Sequence, residues 1–323
     1  MAPRFAIMVA IAWPALAAAG PVCDALGRAA AYGIIASKRL TVRAGFSYAV
    51  FGVEIAGSVC TTRAVIQLAD LEPRAYATQA NLVALKATGA AIGFHKPTFA
   101  RRGALFDENS ISGDVVTGGG AVHGPPDYVE GLTDTSGSHA AVADCRQAMA
   151  DAQQASDTFA AMPTTQILGD VVVPLGETRT IDATGGAVIQ IDSLVLQDAP
   201  LHRAYGYPGD CYNVPAQAGL EFVSNPGDPV IVNVHELTVG NCAYITGGYG
   251  METIINVPGR GPRVRIGVQA DLSSGPNVLA PQRSLTTGGG LTDTATYLDR
   301  LWVKSAVLSG YTAINDDEVT CPD

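Results

Sequence analysis

The chain has 323 residues, of which 47% are hydrophobic and only 15% charged, and its formal net charge is −10. Charged residues usually make up about 25% of a globular protein, so this chain is poor in charge. An acidic chain does not bind nucleic acid or anionic lipid by bulk charge, and we predict no nucleic-acid partner. The 36 glycines and 19 prolines, with few aromatic residues, favour tight turns and stacked strands over helical packing.

The first 19 residues have the organisation of a secretory signal peptide. Arg4 supplies a positive charge, residues 5–13 an apolar stretch, and residues 16–19 small side chains suited to cleavage. The apolar stretch is short for a bilayer span, and no later stretch reaches the ~20 apolar residues that a spanning helix needs. We therefore predict a secreted protein with no stable membrane insertion and one domain over residues 20–323.

Six cysteines follow the predicted signal peptide: Cys23, Cys60, Cys145, Cys211, Cys242 and Cys321. An even number of cysteines in an exported chain indicates disulfides, although the sequence leaves their connectivity open. The preferred pairs are Cys23–Cys60 and Cys211–Cys242, which are nearest in sequence, and this leaves Cys145–Cys321. No CxxC spacing occurs and the histidines are scattered, so we predict no metal and no cofactor.

Short apolar runs alternate with turn residues between positions 32 and 72, which is typical of short strands. Three similar segments, 55–61, 111–117 and 168–172, each contain a glycine, namely Gly57, Gly113 and Gly169. Glycine accepts backbone angles that other residues resist, so we predict that these three mark corners of the chain.

One long helix is predicted over residues 140–161. The apolar and small residues of one helical face follow a spacing of three and four: Val142, Cys145, Met149, Ala152, Ser156 and Phe159. Ser138 is the predicted N-cap, and Pro163 is predicted to end the helix. Because this stripe is narrow and its side chains are small, we expect the helix to lie against a flat sheet.

Four short apolar strands near the C-terminus begin 23 residues apart: 232–234, 255–257, 278–280 and 301–303. A repeat of this length built from strands is typical of a solenoid, in which each coil must stack on its neighbours to bury its apolar face. At about 3.3 Å per strand residue, such a repeat forms three short strands with three corners. The predicted fold is mainly β, a β-solenoid (β-helix) with the long helix packed alongside.

The most reactive-looking pairs are His95-Lys96 and His235-Glu236. They raise a polysaccharide-active β-helix enzyme as one alternative, which requires acidic side chains that recur on adjacent coils. Asp192, Asn233 and Asn256 fall at comparable places in successive strands, and we interpret them as a structural ladder. We therefore predict no catalytic residue and no enzyme.

A row of threonines raises a different alternative. Thr292, Thr294 and Thr296 share one face if this segment is a strand, because alternate strand residues point the same way. A flat array of hydroxyl and methyl groups can order water, and ice is then the ligand. Such a face should repeat on neighbouring coils, yet residues 263–269 contain no threonine.

Residues 165–310 resemble choice-of-anchor A domains and, through them, ice-binding-protein-like adhesins. The likeness is carried by residues 230–239, 254–261, 264–267 and 278–281, and its most specific part is Asn256–Gly261 followed by Leu279–Pro281. The resemblance implies a right-handed β-solenoid flanked by a helix and exported from the cell. It transfers no catalytic residue.

The resemblance also implies an extracellular surface, a glycan or ice as the partner. No sortase motif, membrane helix or stalk follows residue 310, so we expect a soluble secreted product. The main hypothesis is a secreted, non-enzymatic β-solenoid for surface adhesion or extracellular matrix structure. Ice binding through a threonine-bearing flat sheet is the first alternative.

Overall fold

A computed structural model describes residues 21–43, 53–55, 58–67, 82–84, 92–95, 114–119, 122–123, 132–200, 203–204, 207–208, 211, 216–247, 252–273, 276–288, 296–309 and 312–314. Structural statements below concern these residues. The predicted signal peptide, residues 1–19, lies outside them, as do Gly57 and Gly113. The single domain over 20–323 therefore stays a prediction.

The described chain is mainly β. Its helices are α1 (Pro21–Leu26), a short 3-10 helix (Gly27–Ala31) and α2 (Ala140–Ala161). Its strands are β1 (Tyr32–Arg43), β2 (Val53–Ile55), β3 (Ser58–Thr61), β4 (Ala64–Gln67), β5 (Leu82–Ala84), β6 (Ile92–His95), β7 (Val115–Thr117), β8 (Val122–His123), β9 (Thr133–Asp134), β10 (Gln166–Val173), β11 (Thr178–Asp182), β12 (Ala187–Leu196), β13 (Arg203–Ala204), β14 (Tyr207–Pro208), β15 (Gly219–Val223), β16 (Val230–Val239), β17 (Tyr244–Gly247), β18 (Thr253–Asn256), β19 (Val264–Ile266), β20 (Asn277–Thr287), β21 (Thr296–Leu298), β22 (Leu301–Ser309) and β23 (Thr312–Ile314).

Parallel strands stack into one large sheet in the order β10-β12-β16-β18-β20-β22-β1-β3-β5-β7-β9. Val232 pairs with Ile255, Ile255 with Val278, and Val278 with Leu301. These are the first residues of the four strands predicted from the 23-residue period. Sequence spacing therefore sets the hydrogen-bonded register, and the prediction of in-register stacking for these strands is confirmed.

The N-terminal strands extend this stack beyond its C-terminal strands. Strand β1 pairs with β22, with Ile34 opposite Leu301, and β3 pairs with the other edge of β1. The indole Nε1 of Trp302 donates a hydrogen bond of 3.0 Å to the carbonyl of Tyr32 across the same junction. The stack thus begins in the middle of the sequence, at β10, and the chain returns to complete it.

The long strands of the large sheet each contribute to two surfaces. Register irregularities separate the two parts in β1, β10 and β20. The N-terminal parts form what we call the covered segment, and the C-terminal parts form the open segment. Two smaller parallel sheets, β11-β15-β17 and β2-β23-β21, complete the enclosure of the main apolar core.

Close backbone packing at a corner ends the open segment. A Cβ atom at Gly240 would lie 2.5 Å from the backbone carbonyl carbon of Gln197, and one at Gly267 would lie 2.4 Å from the amide nitrogen of Asn241. Only glycine fits at such a distance. Of the predicted corner glycines, Gly169 has a φ of +62° and lies at a register shift of β10.

Helix α2 has the predicted bounds, Ala140–Ala161, so the helix prediction is confirmed. Its N-cap is His139, whose Nδ1 accepts a hydrogen bond from the amide of Ala141, so the prediction of Ser138 as the cap is wrong. The imidazole acceptor substitutes for the hydroxyl expected there. At the other end, Met162 is extended, as sterics require of a residue that precedes proline.

The buried face of α2 packs against the outer surface of the covered segment. The helix residues in this apolar cluster include Val142, Ala152 and Phe159, and the sheet supplies Ile231 and Trp302 among others. The predicted stripe is buried except at Met149, which is only partly buried. The hydroxyl of Tyr32 donates a hydrogen bond to Asp144 of the helix. Burial, and to a smaller extent this hydrogen bond, raises the pKa of that hydroxyl.

Two disulfides join described residues, Cys60–Cys145 and Cys211–Cys242. The second was predicted, whereas Cys60–Cys145 shows that the predicted pairs Cys23–Cys60 and Cys145–Cys321 are wrong. Cys60 lies in β3 under helix α2, so its nearest partner in space is on the helix and not in the neighbouring sequence. Cys23 is also disulfide-bonded, and Cys321 lies outside the described residues.

Candidate functional site

The outer surface of the open segment carries one row of side chains that crosses six neighbouring strands. Consecutive backbone pairs define this outer row, which consists of Val172, Val195, Thr238, Arg265, Thr286 and Val307. Neighbouring strands lie about 4.7–4.9 Å apart, so the row extends roughly 24 Å at that spacing. None of its members belongs to the apolar cluster that packs with α2.

Strand alternation places these side chains outside. Leu237 and Val239 are buried in the core while Thr238 between them is partly exposed, and the same alternation surrounds Thr286. Five of the six members of the outer row are valine or threonine. Because β-branched side chains have restricted χ1 rotamers, the row is a regular and stiff surface of methyl and hydroxyl groups.

A second row flanks the outer row on the same strands. At one end it consists of Asp170, Ser193 and Glu236 in register, and at the other Ser284 lies opposite Ser305. Strands β20 and β22 therefore present an uncharged patch that consists of Ser284, Thr286, Ser305 and Val307. At β1, on the far side of this patch, the outer row reaches Thr41, which is only 7% exposed, and the second row reaches Arg39, which is exposed opposite Ser305.

Arg265 is the one charged member of the outer row. Its Nη2 atom lies 3.2 Å from Oδ1 of Asp198, and the two side chains are 51% and 44% exposed. The same Oδ1 accepts a hydrogen bond of 2.8 Å from the backbone N–H of Asn241 at the corner. Because Asn241 follows β16, the Arg265 guanidinium lies at the corner just beyond the end of that strand.

The threonines that the sequence singled out are elsewhere. Thr296 is fully buried, and its hydroxyl accepts from the amide of Gln269 and donates to the carbonyl of Gly267. It points into the protein and does not contribute to an exposed face. Thr292 and Thr294 lie outside the described residues, so their role stays a prediction.

The predicted ladder is structural where it is described. Asn233 and Asn256 are in register, but the residue opposite Asn233 is Gln190 and not Asp192. Asn256 donates to Oδ1 of Asn233 at 2.7 Å and accepts from the hydroxyl of Ser156, while Asn233 donates to the carbonyl of Phe159. These amides join the sheet to α2 under its buried face.

The reactive-looking pairs do not form a site in the described part of the chain. His235 and Glu236 are exposed where β16 passes from the covered to the open segment. Lys96 lies outside the described residues. For His95 the structure describes the backbone in β6 and not the surroundings of the side chain. Among the described residues, no three His, Cys, Asp or Glu side chains are grouped so that they could hold a metal ion.

Comparison with known proteins returned matches to solved structures. No protein-family model matches the sequence, and no curated protein matches it. A glycosylated ice-binding protein from an Arctic yeast is 14% identical with a TM-score of 0.49, and 95% of this chain and 97% of that one are covered. The ice-binding protein of the Antarctic ascomycete Antarctomyces psychrotrophicus is 15% identical with a TM-score of 0.40, and the coverage is 91% and 98%.

The DUF3494 domain of a Shewanella frigidimarina ice-binding protein is 13% identical with a TM-score of 0.38, covering 90% of this chain and 95% of that one. Because these sequence identities are low, the function of the present chain has to be argued from its own residues. The resemblance to choice-of-anchor A domains stays a prediction. None of the described helices combines the length and apolar character of a membrane-spanning segment.

Proposed function

We propose that this protein is a secreted, non-enzymatic, right-handed β-solenoid that binds ice through the outer surface of the open segment. The observation that carries the proposal is the outer row, in which valine and threonine recur on one strand after another. The contact is centred on Thr286 and Val307, whose neighbours in the second row on the same strands, Ser284 and Ser305, are also uncharged.

The physical reason is a match between two periodic surfaces. Parallel pairing repeats the outer side chains at the strand spacing, and the backbone ladders keep that repeat rigid. Methyl groups release ordered water at little cost, whereas hydroxyl groups can hydrogen-bond to the ice lattice. Charged groups retain strongly bound water, so the uncharged patch on β20 and β22 is the part best suited to flat contact.

Secretion and handedness belong to the same proposal. The signal-like residues 1–19 and the disulfides fit an oxidising, extracellular environment. Parallel strands joined by crossover connections are nearly always right-handed, which supports the handedness that the sequence resemblance implies.

Adhesion to an extracellular surface or glycan, or a role in extracellular matrix structure, ranks second. Those roles share the secreted solenoid but require no particular chemistry along the outer row, so no described residue argues for them specifically. A polysaccharide-active enzyme ranks lower because the acidic side chains of the second row, Asp170 and Glu236, are separated by Ser193 on the strand between them.

The test is an ice-shaping and thermal-hysteresis assay on the oxidised protein without residues 1–19. The variant Thr286→Tyr places a bulky ring in the uncharged patch and should abolish faceting and the freezing gap. Thr180→Tyr is the matched control, because Thr180 is exposed on β11 of a different sheet and should tolerate the same change. Smooth ice discs with the parent protein, or equal loss in both variants, would contradict the proposal.

The same assay addresses the threonines predicted from the sequence. Replacing Thr292 and Thr294 with lysine places charges on the face predicted from the sequence. Full activity in this variant, together with loss in Thr286→Tyr, would assign ice contact to the open segment and not to that row.

A further inference from the structure

The outer row is interrupted at a single position, and the structure shows how that interruption is handled. Arg265 lies between Thr238 and Thr286 in the backbone register. Its side chain is several ångströms longer than those of its neighbours and carries a full charge. If it stood upright from the sheet, it would hold any flat surface away from both threonines.

The ion pair directs this side chain along the sheet. Asp198 follows strand β12, two strands away from β19. Its carboxylate forms an ion pair with Nη2 of Arg265 at 3.2 Å. The carboxylate is itself fixed by the backbone N–H of Asn241, which donates to the same oxygen. Asp198 lies past the end of the row, at the corner that Gly240 forms against Gln197.

The geometry points to Asp198 as a positioning residue that keeps the ice-contact surface flat by holding the Arg265 guanidinium at the corner that follows β16. This inference rests on the proposed function. The Arg265 side chain limits how closely ice can approach the outer row, and Asp198 reduces that obstruction by holding the side chain down. With the pair intact, Thr238 and Thr286 are accessible on either side. Without the carboxylate, the guanidinium swings free into the contact plane.

Three variants separate this role from a merely structural one. Asp198→Asn removes the charge but keeps an oxygen that can accept from Asn241, and it should lose most of the thermal hysteresis. Arg265→Thr completes the row with a β-branched residue, and its activity should exceed that of the parent. The double variant should match Arg265→Thr, because Asp198 then has no side chain left to position.

Salt gives an independent readout. Both partners are about half exposed, so added salt screens their attraction. Thermal hysteresis, measured against the freezing point of each buffer, should fall with ionic strength in the parent protein and stay level in Arg265→Thr. Circular dichroism and thermal unfolding of every variant report whether the fold is retained.

The outcomes distinguish this inference from the proposal on which it rests. A parent protein that does not shape ice overturns both. A parent that shapes ice, with Asp198→Asn fully active, overturns the inference alone. The inference is also overturned if the double variant has as little thermal hysteresis as Asp198→Asn, because Asp198 then acts through its contact at the corner and not through Arg265.

Discussion

The same long strands supply two outer surfaces with opposite character. Strand β22 places Trp302 beneath α2 and Val307 in the outer row, and β20 places Leu279 beneath α2 and Thr286 in the outer row. The covered surface holds side chains of every size, from cysteine to tryptophan, fitted to one helix. The outer row is nearly uniform, and none of its members belongs to the apolar cluster that packs with α2.

This difference separates packing from recognition. A surface that buries one irregular partner gains from varied side chains that interdigitate. A surface that binds a regular crystal lattice binds better when its own side chains repeat. Such a surface can be uniform because its side chains are not needed to fill the protein core. Substitutions in the covered surface should therefore reduce stability, and substitutions in the outer row should change activity.

The largest expected effect is at Trp302. Its side chain is fully buried against α2 and its indole donates to Tyr32, so Trp302→Ala should cost about 3–5 kcal/mol of unfolding free energy. The comparison residue is Thr286, where replacement by alanine should change stability by no more than about 0.5 kcal/mol. Urea titrations give the free energy of unfolding of both variants. Similar losses of unfolding free energy would contradict the proposed difference between the two surfaces.

The disulfide between β3 and α2 should contribute more than the one between Cys211 and Cys242. Cys60–Cys145 links residues 85 positions apart, and Cys211–Cys242 links residues 31 positions apart. On loop-closure entropy, removing the first pair should cost roughly 1 kcal/mol more than removing the second. Thermal unfolding of the two double-alanine variants tests this order.

Peptide mapping of the same oxidised protein addresses the remaining cysteines. Cys23 is disulfide-bonded and four other cysteines pair with one another, so a peptide linking Cys23 to Cys321 is the expected product. A mixture of linkages would instead indicate incomplete oxidative folding.

A moderate effect is expected where the covered surface is polar. Asn256→Ala removes the amide that joins Asn233 and Ser156, leaving buried groups without partners at a cost of about 1–3 kcal/mol. Thr238→Ala is the control on the neighbouring strand β16, because Thr238 is partly exposed in the outer row. Equal losses would mean that the amides contribute little to holding α2.

The smallest effect concerns pH at a turn away from both surfaces. The amides of Asn225 and Gly185 donate to Asp228 and lower the pKa of its carboxyl. A lowered folded-state pKa stabilises the protein above the ordinary aspartate value of about 3.9, and this contribution is lost as the pH falls below it. Melting curves from pH 7 to pH 2 should fall slightly more steeply for the parent than for Asp228→Asn.

The covered surface was largely predictable and the outer row was not. The helix stripe and the strands at Val232, Ile255, Val278 and Leu301 follow constant spacings, and constant spacing is what a sequence displays. The outer row lies between loops of unequal length, so its members have no common interval. Their strand pattern, one polar or β-branched residue between two buried ones, is also common to any half-exposed strand.

Two other misses have a spatial cause. Thr296 resembles an exposed strand threonine in sequence, but the chain turns it inward, where Gln269 and Gly267 satisfy its hydroxyl. Cys60 meets Cys145 because the N-terminal strands stack on β22 and α2 then passes over them. No local pattern encodes a contact between residues 85 positions apart.

That return of the chain also constrains how the protein is made. The bond from Trp302 to Tyr32 joins residues 270 positions apart, so the edge of β1 that pairs with β22 has no partner until the C-terminal strands are synthesised, although β3 and β4 can already pair with its other edge. The N-terminal strands therefore cannot complete their sheet before the C-terminal strands arrive, and contacts between residues so far apart in sequence slow folding. Meanwhile Cys23 and Cys60 emerge together, well ahead of Cys145, and a bond between them would have to be reshuffled. Production of active protein should therefore depend on a thiol–disulfide isomerase as well as on an oxidant.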